Sequence, residues 1–447
     1  MPERFDVVVV GARCAGSALA IDLAGAGLHV AVVDRATFPS DTISGHYIFA
    51  SGISALDRFG VLNDLSTCGA PFVNLVDWRI DDLAGVEPFG TDAAGGQAGV
   101  CIRRPVLDTA LVTAAGKAGA TVSTGTRVTG LVRTHDRVTG VTVVDKAGQE
   151  RQLDATLVVG ADGMGSTVAR LVGARRYHVH PNDRFAYFGY YEGVAADPPA
   201  CSLHRFGEEL TFGFPCDAGL YVFTILAPHD RLPAFADDLD GAFDATIRLD
   251  EAFAGPFAEA RRVGPLRGMV RFPRFFRESA GPGWVLVGDA GHFKDPCVGQ
   301  GIADAFRQAG VLAEAIISSL ATDVDRLDEA TTAWWAWRDA EELDMHWMAV
   351  DLAAAGPVPV ILKEVFRELA DSPGGLQPFW DTFQHRLKPS EVLIPERFGA
   401  AADRLAGTPA GEQAKAELTA ISELAEQRQL LAQRPCFESE RGARRDE

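Results

Sequence analysis

The stretch FDVVVVGARCAGSALAIDLAGAGLHVAVVDR, residues 5–35, decides the fold. Its first run, FDVVVV (5–10), is short, apolar and rich in β-branched residues, which is typical of a buried parallel strand. A turn of small residues follows, then a helix to about Gly25, then HVAVVD (29–34), a second strand that ends on an acid. Strand, helix and strand in this order predict a compact βαβ unit.

The turn between the first strand and the helix predicts a nucleotide-binding site. Gly11 permits a tight exit from the strand, and Gly16 lets the helix lie close to the sheet. The N–H groups at the helix start suit a diphosphate, and Asp34 follows about twenty residues later, where an acid accepts ribose hydroxyls. The residues predicted to bind the cofactor in this unit are Gly11, Arg13, Cys14, Ala15, Gly16, Asp34 and Arg35.

Arg13 stands where such a turn usually carries its middle glycine. That glycine normally lets the backbone approach the diphosphate. We predict that an extended Arg13 side chain lies along the diphosphate and replaces close approach by positive charge. The alternative is a side chain that points into solvent.

In two later segments a buried strand also ends at an acidic residue with small residues beside it. In LVVGADGMGSTVARLVG (157–173) the strand ends at Asp162 and turns into a helix. In GWVLVGDAGHFKDPCVGQGIADAFRQA (283–309) the strand ends at Gly288 and Asp289. A short segment with proline and glycines follows and leads into a helix. The N-terminus of that helix suits negative charge. The residues of that segment that we predict to bind the cofactor are Pro296, Gly299, Gln300 and Gly301.

Composition narrows the class of protein. The 447 residues carry a formal net charge of −19, which disfavours binding to nucleic acid. No apolar run approaches the roughly 20 residues needed to span a bilayer, and nothing before the first strand resembles a secretory signal. The seven cysteines lack metal-ligand spacing, so we expect no metal site and reduced thiols in a cytoplasmic protein.

The remaining chain predicts an α/β protein with a second, β-rich part. Residues 121–161 read as four successive strands with a hairpin over DKAGQE (145–150), and 184–226 as an aromatic-rich antiparallel sheet. Beyond residue 325 the pattern is helical. We predict a discontinuous Rossmann-like domain, an interleaved antiparallel β substrate domain, a helical C-terminal region and a disordered tail. Their boundaries are, in that order, 1–70 with 100–175 and 275–322; 71–99 with 176–274; 323–435; and 436–447.

These three motifs, in this order and spacing, resemble the FAD-dependent monooxygenases of the para-hydroxybenzoate hydroxylase type. Flavin-dependent halogenases and geranylgeranyl reductases share that fold family, whose FAD domain is of the glutathione-reductase type. The resemblance covers about residues 5–320 and implies contacts to FAD. Gly11 and Gly16 would lie at the diphosphate, Asp34 at the adenosine ribose, Arg104 near the diphosphate and ribityl chain, and Val128 at the adenine.

For the later motifs the resemblance implies that Asp162 serves both FAD and NAD(P)H, and that Asp289 binds the ribityl chain. The loop 296–301 would lie beside the flavin ring. The sequence departs from the pattern at Arg13. It also departs in the helix after Asp162, where the family's Ser-x-Val-Arg becomes STVAR (166–170), with its arginine one position late.

The resemblance implies an FAD-dependent oxidoreductase that hydroxylates an aromatic or conjugated small molecule. NADH or NADPH would reduce the flavin transiently, and O2 would react through a C4a-hydroperoxyflavin. The alternatives are reduction of an isolated C=C bond, halogenation and a non-catalytic flavoprotein. Halogenation is disfavoured because TTAWWAWRDAEE (331–342) lacks the Ile-Pro of the halogenase element. A homodimer and a separate flavin reductase remain open as partners.

For proton transfer the sequence offers residues in the two loops expected near the flavin. A histidine with a near-neutral pKa is the natural proton carrier. We predict His46, His292 and Asp295 as the catalytic residues and keep Tyr47 and Lys294 as further candidates.

Overall fold

The structure is a computed structural model, and it describes residues 3–89, 99–321, 323–433 and 437 of the chain. The predicted disordered tail, 436–447, lies outside the described residues except for Phe437.

The strands of the described residues are, in chain order, β1 Glu3–Val10, β2 Val30–Asp34, β3 Tyr47–Phe49, β4 Phe72–Val73, β5 Leu75–Ile80, β6 Leu83–Pro88, β7 Gly99–Cys101, β8 Thr121–Thr124, β9 Arg127–Thr134, β10 Arg137–Val144, β11 Glu150–Gly160, β12 Arg176–His180, β13 Arg184–Glu192, β14 Cys201–Phe206, β15 Glu209–Pro215, β16 Tyr221–Pro228, β17 Arg261–Met269, β18 Arg274–Arg277, β19 Ala280–Gly281, β20 Trp284–Leu286 and β21 His292–Phe293.

The α-helices of the described residues are α1 Cys14–Gly25, α2 Ala50–Arg58, α3 Leu62–Ser66, α4 Arg104–Lys117, α5 Thr167–Val172, α6 Leu232–Asp237, α7 Leu239–Leu249, α8 Glu251–Ala254, α9 Gly301–Ser319, α10 Val324–Leu352, α11 Val360–Asp371, α12 Gln377–Phe383, α13 Pro389–Val392, α14 Pro395–Leu405 and α15 Gly411–Gln433.

The first sheet is the Rossmann-like one that the opening stretch predicts. Its path runs β19-β20-β11-β1-β2-β8, and β9 and β10 extend it from β11 as antiparallel strands. The pairs of β1 with β2 and with β11 are parallel, so Val8 lies between Ala31 and Val158. The helices α1, α4 and α9 cover one face through an apolar core that includes Leu19, Leu107 and Leu312.

The second large sheet carries the aromatic stretches and has the order β17-β13-β16-β15-β14-β5-β6. It is antiparallel except between β5 and β14, which pair in parallel, with Val76 opposite Cys201. This parallel pair is a feature that the prediction of an antiparallel sheet missed. Two three-stranded sheets, β3-β7-β4 and β12-β18-β21, lie beside the large ones.

The helical C-terminal region packs against the second sheet rather than forming a separate core. One apolar cluster joins β5, β14 and β15 to α10, α11 and α12, and it includes Trp78, Phe212, Phe366 and Trp380. The domain boundaries stay a prediction. Among the described residues, no helix combines the length and the hydropathy that crossing a membrane requires.

Candidate functional site

A cavity of about 760 Å³ runs along the carboxyl ends of β1, β2 and β11 toward the second sheet. Its volume is within the usual range for ligand sites, about 300–1,000 Å³. All predicted cofactor and catalytic residues line it except Gly16. They are Gly11, Arg13, Cys14, Ala15, Asp34, Arg35, Arg104, Val128, Asp162, Gly288, Asp289, Pro296, Gly299, Gln300 and Gly301 for the cofactor, and His46, His292 and Asp295 for catalysis.

The turn at the end of β1 brings three backbone segments into close contact. Gly11 has a φ of +103°, and a Cβ there would lie 2.3 Å from the carbonyl oxygen of Ala161. A Cβ on Gly16 would lie 1.8 Å from the carbonyl oxygen of Gly11. Gly16 therefore serves the packing of α1 on the turn, which explains why it does not face the cavity.

Two helix N-termini at this cavity leave backbone N–H groups free of side-chain caps. The α1 N-cap, Arg13, and the α9 N-cap, Gln300, make no side-chain capping bond within the described residues. Uncapped N–H groups at a helix start carry partial positive charge and favour an anion. The turn, the glycine cradle and the α1 N-terminus together fit the diphosphate of FAD.

Asp34 holds the backbone around the turn. Its Oδ2 accepts a hydrogen bond from Ala12 N at 2.7 Å, and its Oδ1 accepts one from Ala36 N at 2.7 Å. The carboxylate ends β2 within the cavity lining, as its predicted role at a ribose requires.

Asp108 joins the two arginines of the predicted diphosphate site. Arg104 is buried and donates from Nε and Nη2 to Asp108 Oδ1 at 3.1 and 2.9 Å, and Arg13 donates from Nη1 to Oδ2. Arg13 Nη2 also donates to Ser40 Oγ at 2.9 Å. The Arg13 guanidinium is thus held at the cavity by protein contacts. Two guanidinium groups on one carboxylate leave one net positive charge. Sequence reasoning missed Asp108, although it lies four residues after Arg104, on the same helix face.

Burial among these groups also affects Cys14, whose Sγ lies 3.6 Å from Asp108 Oδ1. Desolvation raises the pKa of the Cys14 thiol to about 12. Cys14 is therefore a neutral thiol and contributes packing and its backbone N–H.

Asp162 caps α5 as well as lining the cavity. Its carboxylate accepts hydrogen bonds from Thr167 N at 2.6 Å and from Ser166 Oγ. Desolvation raises its pKa. Arg170 lies exposed on α5.

Asp289 opens onto the cavity rather than onto the outer surface of the protein. The protein around it raises its pKa to about 6, chiefly by desolvation, against the opposing effect of Arg104. Gly288 before it has a φ of +63°, and its N–H donates to Gln308 Oε1 at 3.2 Å. A carboxylate at this position accepts hydrogen bonds from hydroxyls, which fits a ribityl chain.

His46 and Tyr190 form a buried hydrogen bond at the far part of the cavity, with 2.8 Å between His46 Nε2 and the Tyr190 hydroxyl. Burial, with help from Arg104, lowers the pKa of His46 to about 3, so the ring is neutral at pH 7. The ring also lies edge-on to Phe188 at 4.7 Å. Tyr190 belongs to the aromatic-rich stretch of the sequence, but nothing there indicated this pairing.

The other two predicted catalytic residues lie in the same wall and have different partners. His292 stacks on Phe276 at 4.1 Å and has Nε2 3.4 Å from His346 Nδ1. Burial, followed by His346, holds the pKa of His292 well below its usual range. Asp295 caps the short 3-10 turn Pro296–Val298 by accepting from Cys297 N at 3.0 Å.

Of the further candidates, Tyr47 lines the cavity and stacks on Phe214 at 5.0 Å. Lys294 lies in a buried network. Its Nζ is 2.8 Å from Asp304 Oδ2, 2.6 Å from Glu342 Oε2 and 3.0 Å from Gln300 Oε1. The ammonium offsets one of the two carboxylate charges in this network. Although burial opposes it, the carboxylates raise the pKa of Lys294.

The tryptophans of TTAWWAWRDAEE serve helix packing. Trp335 donates from Nε1 to the Tyr177 hydroxyl at 2.8 Å, and the Arg307 guanidinium lies 5.2 Å from the centre of the Trp337 ring. Both lie on α10, partly buried against the core of the first sheet.

Comparison with known proteins connects this geometry with FAD. Residues 4–200 match the family model described as an FAD binding domain. A digeranylgeranylglycerophospholipid reductase of Methanosarcina acetivorans is 28% identical over 357 residues, 77% of this chain and 84% of the relative. A Rhodococcus erythropolis protein provisionally named as a 2-heptyl-3-hydroxy-4(1H)-quinolone synthase is 29% identical over 367 residues, 78% and 88% of the two chains.

Two further matches cover most of the chain. The menaquinone reductase of Mycolicibacterium smegmatis is 30% identical over 336 residues, 72% of this chain and 79% of the relative. The flavin-dependent brominase Bmp2 has a solved structure that superposes with a TM-score of 0.74 at 19% identity, over 95% of this chain and 100% of that one. The brominase shows a shared fold. The chain belongs to the FAD-dependent oxidoreductases whose FAD-binding domain is of the para-hydroxybenzoate hydroxylase type.

Proposed function

We propose that the protein is an FAD-dependent monooxygenase that hydroxylates an aromatic or conjugated small molecule with NAD(P)H and O2. The observation that carries the proposal is the apolar lining that the second sheet contributes to the main cavity, which the loop 296–301 also lines. That lining includes the aromatic side chains of Phe188, Phe212 and Phe214. Apolar walls beside a reacting group keep water away from it, which protects a reactive oxygen species from side reactions.

When bound, FAD would accept hydride from NAD(P)H and activate O2. The chain's residues bind and orient it. The turn at Gly11 and the α1 N-terminus would hold the diphosphate, and Asp34 and Asp289 would hold the two hydroxyl-bearing parts. The loop 296–301 and the α9 N-terminus would lie beside the flavin ring, where the partial positive charge of the helix would favour negative charge.

Neutral His46 and the Tyr190 hydroxyl share one hydrogen bond at His46 Nε2, and the imidazole tautomer decides which of the two groups donates. A ring with so low a pKa does not take up a proton readily, so the near-neutral pKa expected of His46 was wrong, and we propose that the pair acts by hydrogen bonding to a substrate hydroxyl. Tyr190 therefore joins the proposal as a residue that positions His46, and His46 stays the proposed catalytic residue ahead of His292 and Asp295, whose contacts fix the loop.

The experiment is a stopped-flow reduction of the FAD-loaded protein with NADH or NADPH without oxygen, followed by mixing with 18O2. We expect an absorbance transient before the flavin reoxidises, and one 18O atom in a hydroxylated product when a panel of substituted phenols and quinolones is present. Flavin that reoxidises without a transient and without labelled product would refute the monooxygenase. Reduction only by chemical means, followed by the transient, would point to a separate flavin reductase as the electron donor.

A second candidate is the reduction of an isolated C=C bond, and the two relatives named as reductases favour it. In that reaction bound FAD would supply the hydride for the C=C bond, and O2 would take no part. Anaerobic conversion of a prenyl substrate, with mass increasing by two hydrogens per bond, would establish it in place of hydroxylation.

A further inference from the structure

A second cavity of about 90 Å³ lies between the seven-stranded sheet and the C-terminal helices. The sheet side is formed by residues of β5, β14 and β15, and the helix side by α10, α11 and α12. Four side chains line both this cavity and the main one: Leu203, Phe212, Cys297 and Phe383. The two spaces are therefore neighbours that share an apolar wall.

The walls of the second cavity offer almost no polar groups. Three of its lining residues, Arg79, His204 and Arg205, are polar, and the latter two have other partners. His204 Nδ1 is 2.7 Å from Asp250 Oδ2, and Arg205 Nη1 donates to the Leu352 carbonyl at 3.0 Å. A buried water needs two to four polar partners, whereas apolar cavities stay dry and accept apolar ligands.

The shared wall lies beside the flavin end of the main cavity. Cys297 belongs to the 3-10 turn that leads into the loop 296–301, and Phe383 ends α12. The Gln300 amide donates to the carbonyls of Thr382 and Phe383 at 3.1 Å. Only side chains separate the two spaces, so a rotation of Leu203 or Phe383 would let a molecule with its reacting group at the predicted flavin position extend into the second cavity.

We propose that the second cavity holds the apolar tail of the substrate. The substrate class is a conjugated or aromatic head that carries an alkyl or prenyl chain. Since one water-sized group needs about 10–15 Å³ of such volume, the cavity takes roughly six to nine chain carbons. The proposal deepens the proposed function and rests on it for the position of the head. It gives α11 and α12 a role in choosing substrates.

The test is a binding titration of the FAD-loaded protein without reductant, so that no turnover is needed. The probes are phenol and 4-alkylphenols with tails of one to twelve carbons, and binding is read from the flavin absorbance. Each buried methylene contributes about 0.8 kcal/mol, so we expect affinity to rise about four-fold per carbon. The rise levels off at roughly nine carbons, where the cavity is full. An affinity that does not depend on tail length would overturn the proposal.

Val358 is buried, lines only the second cavity and offers the blocking variant Val358→Phe. We expect it to weaken binding of 4-heptylphenol at least ten-fold and binding of phenol less than two-fold. The matched control is Leu418→Phe, on α15, which packs on the same apolar cluster outside the cavity. Equal losses for phenol and 4-heptylphenol would refute the tail site. FAD content and unfolding temperature check the fold, and Leu362→Phe on α11 is the second blocking variant.

A series of prenyl alcohols from five to twenty carbons, titrated in the same way, separates the tail site from the reaction type. Length-dependent binding without hydroxylation would keep the tail site and reject the monooxygenase. Hydroxylation of phenol with no dependence on the tail would do the reverse.

Discussion

Asp108 sets how much positive charge the two arginines bring to the cavity. It is fully buried, and the guanidinium groups of Arg13 and Arg104 share its carboxylate. The pair of arginines keeps one net positive charge at the place where the diphosphate of FAD is predicted. Arg13 thus has a reason to stand where a glycine is usual, because without it the charges of Arg104 and Asp108 would cancel.

Arg13→Ala should weaken FAD binding by roughly ten-fold or more, since a charge-assisted hydrogen bond contributes about 1.5–3 kcal/mol. The matched control is Arg248→Ala, an exposed arginine at the end of α7. The measurement is a titration of apoprotein with FAD, followed by flavin fluorescence. Equal affinities for the two variants would show that Arg13 does not act on the cofactor.

Asp108→Asn leaves two buried or half-buried guanidinium groups without their carboxylate. Breaking a buried ion pair costs about 3–5 kcal/mol, so the apoprotein should lose that order of stability. A bound diphosphate supplies the missing negative charge, so the loss should be smaller in the FAD-loaded protein. Urea unfolding of both forms measures this difference. An equal loss in both would place the diphosphate away from the arginines.

His46 should lower the free energy of unfolding of the apoprotein as the pH falls. Its pKa of about 3 in the fold is below the ordinary 6.5, because burial disfavours the charged ring. The neutral ring therefore stabilises the fold above pH 6.5, and this stability is lost as the pH falls toward 3. A single such group gives a slope of at most about 1.4 kcal/mol per pH unit.

His46→Gln, which keeps a hydrogen-bonding partner for Tyr190, should remove that slope. Urea unfolding at pH 7.5, 6.5, 5.5 and 4.5 compares the variant with the wild type and with His29→Gln, an exposed histidine. We expect the free energies of unfolding of His46→Gln and the wild type to converge as the pH falls. Parallel curves would mean that His46 is not held neutral by burial.

At the scale of elements, α1 contains a glycine that is needed because no side chain fits there, and not because of its backbone conformation. Gly16→Ala puts a methyl group 1.8 Å from the Gly11 carbonyl oxygen, so the helix must move off the turn. We expect a loss of at least about 1–3 kcal/mol together with weaker FAD binding.

The control is Gly25→Ala at the last position of the same helix, where a Cβ meets nothing within 4 Å. That change should be neutral or stabilise by up to about 1 kcal/mol. Thermal unfolding with and without FAD checks both variants. A Gly16→Ala protein as stable as Gly25→Ala would contradict the close packing of α1 on the turn.

The elements of the FAD half could be predicted from sequence because their signals are local. The strand of FDVVVV, the turn at Gly11 and the acid at Asp34 lie within thirty residues, and β-branched runs and glycines specify them directly. The hairpin over DKAGQE joins β10 to β11 as predicted. The parallel pairing of β5 with β14 could not be predicted, because it joins segments about 125 residues apart whose register depends on the whole sheet.

The hydrogen-bond partners of the site residues could not be predicted from the sequence either. Tyr190 reaches His46 across 144 positions, and Gln300 reaches Thr382 across 82. Such contacts leave no periodic pattern. The sequence therefore predicted which residues face the cavity and missed what holds them there, as with Asp108 and the network around Lys294.

At the scale of the whole molecule, the C-terminal helices and the second sheet form one body around α10. Arg184, which is fully buried, donates from Nε to the Ala353 carbonyl at 3.0 Å and from Nη2 to the Ala354 carbonyl at 2.9 Å. Arg205 donates to the carbonyls of Leu352 and Ala354. These cations satisfy the C-terminal end of α10 and stabilise it electrostatically.

The FAD site is assembled from residues as distant in the chain as Gly11 and Gly301, and this separation has a consequence for synthesis on the ribosome. When β1, α1 and β2 have emerged, the strand that follows β11 in the sheet, β20, has not yet been made. Domains generally fold from the N-terminus during translation, at about 5–20 residues per second. The nascent protein must therefore keep an unfinished parallel sheet edge from pairing wrongly for many seconds. It can take up its flavin only when more than half of the chain has been translated.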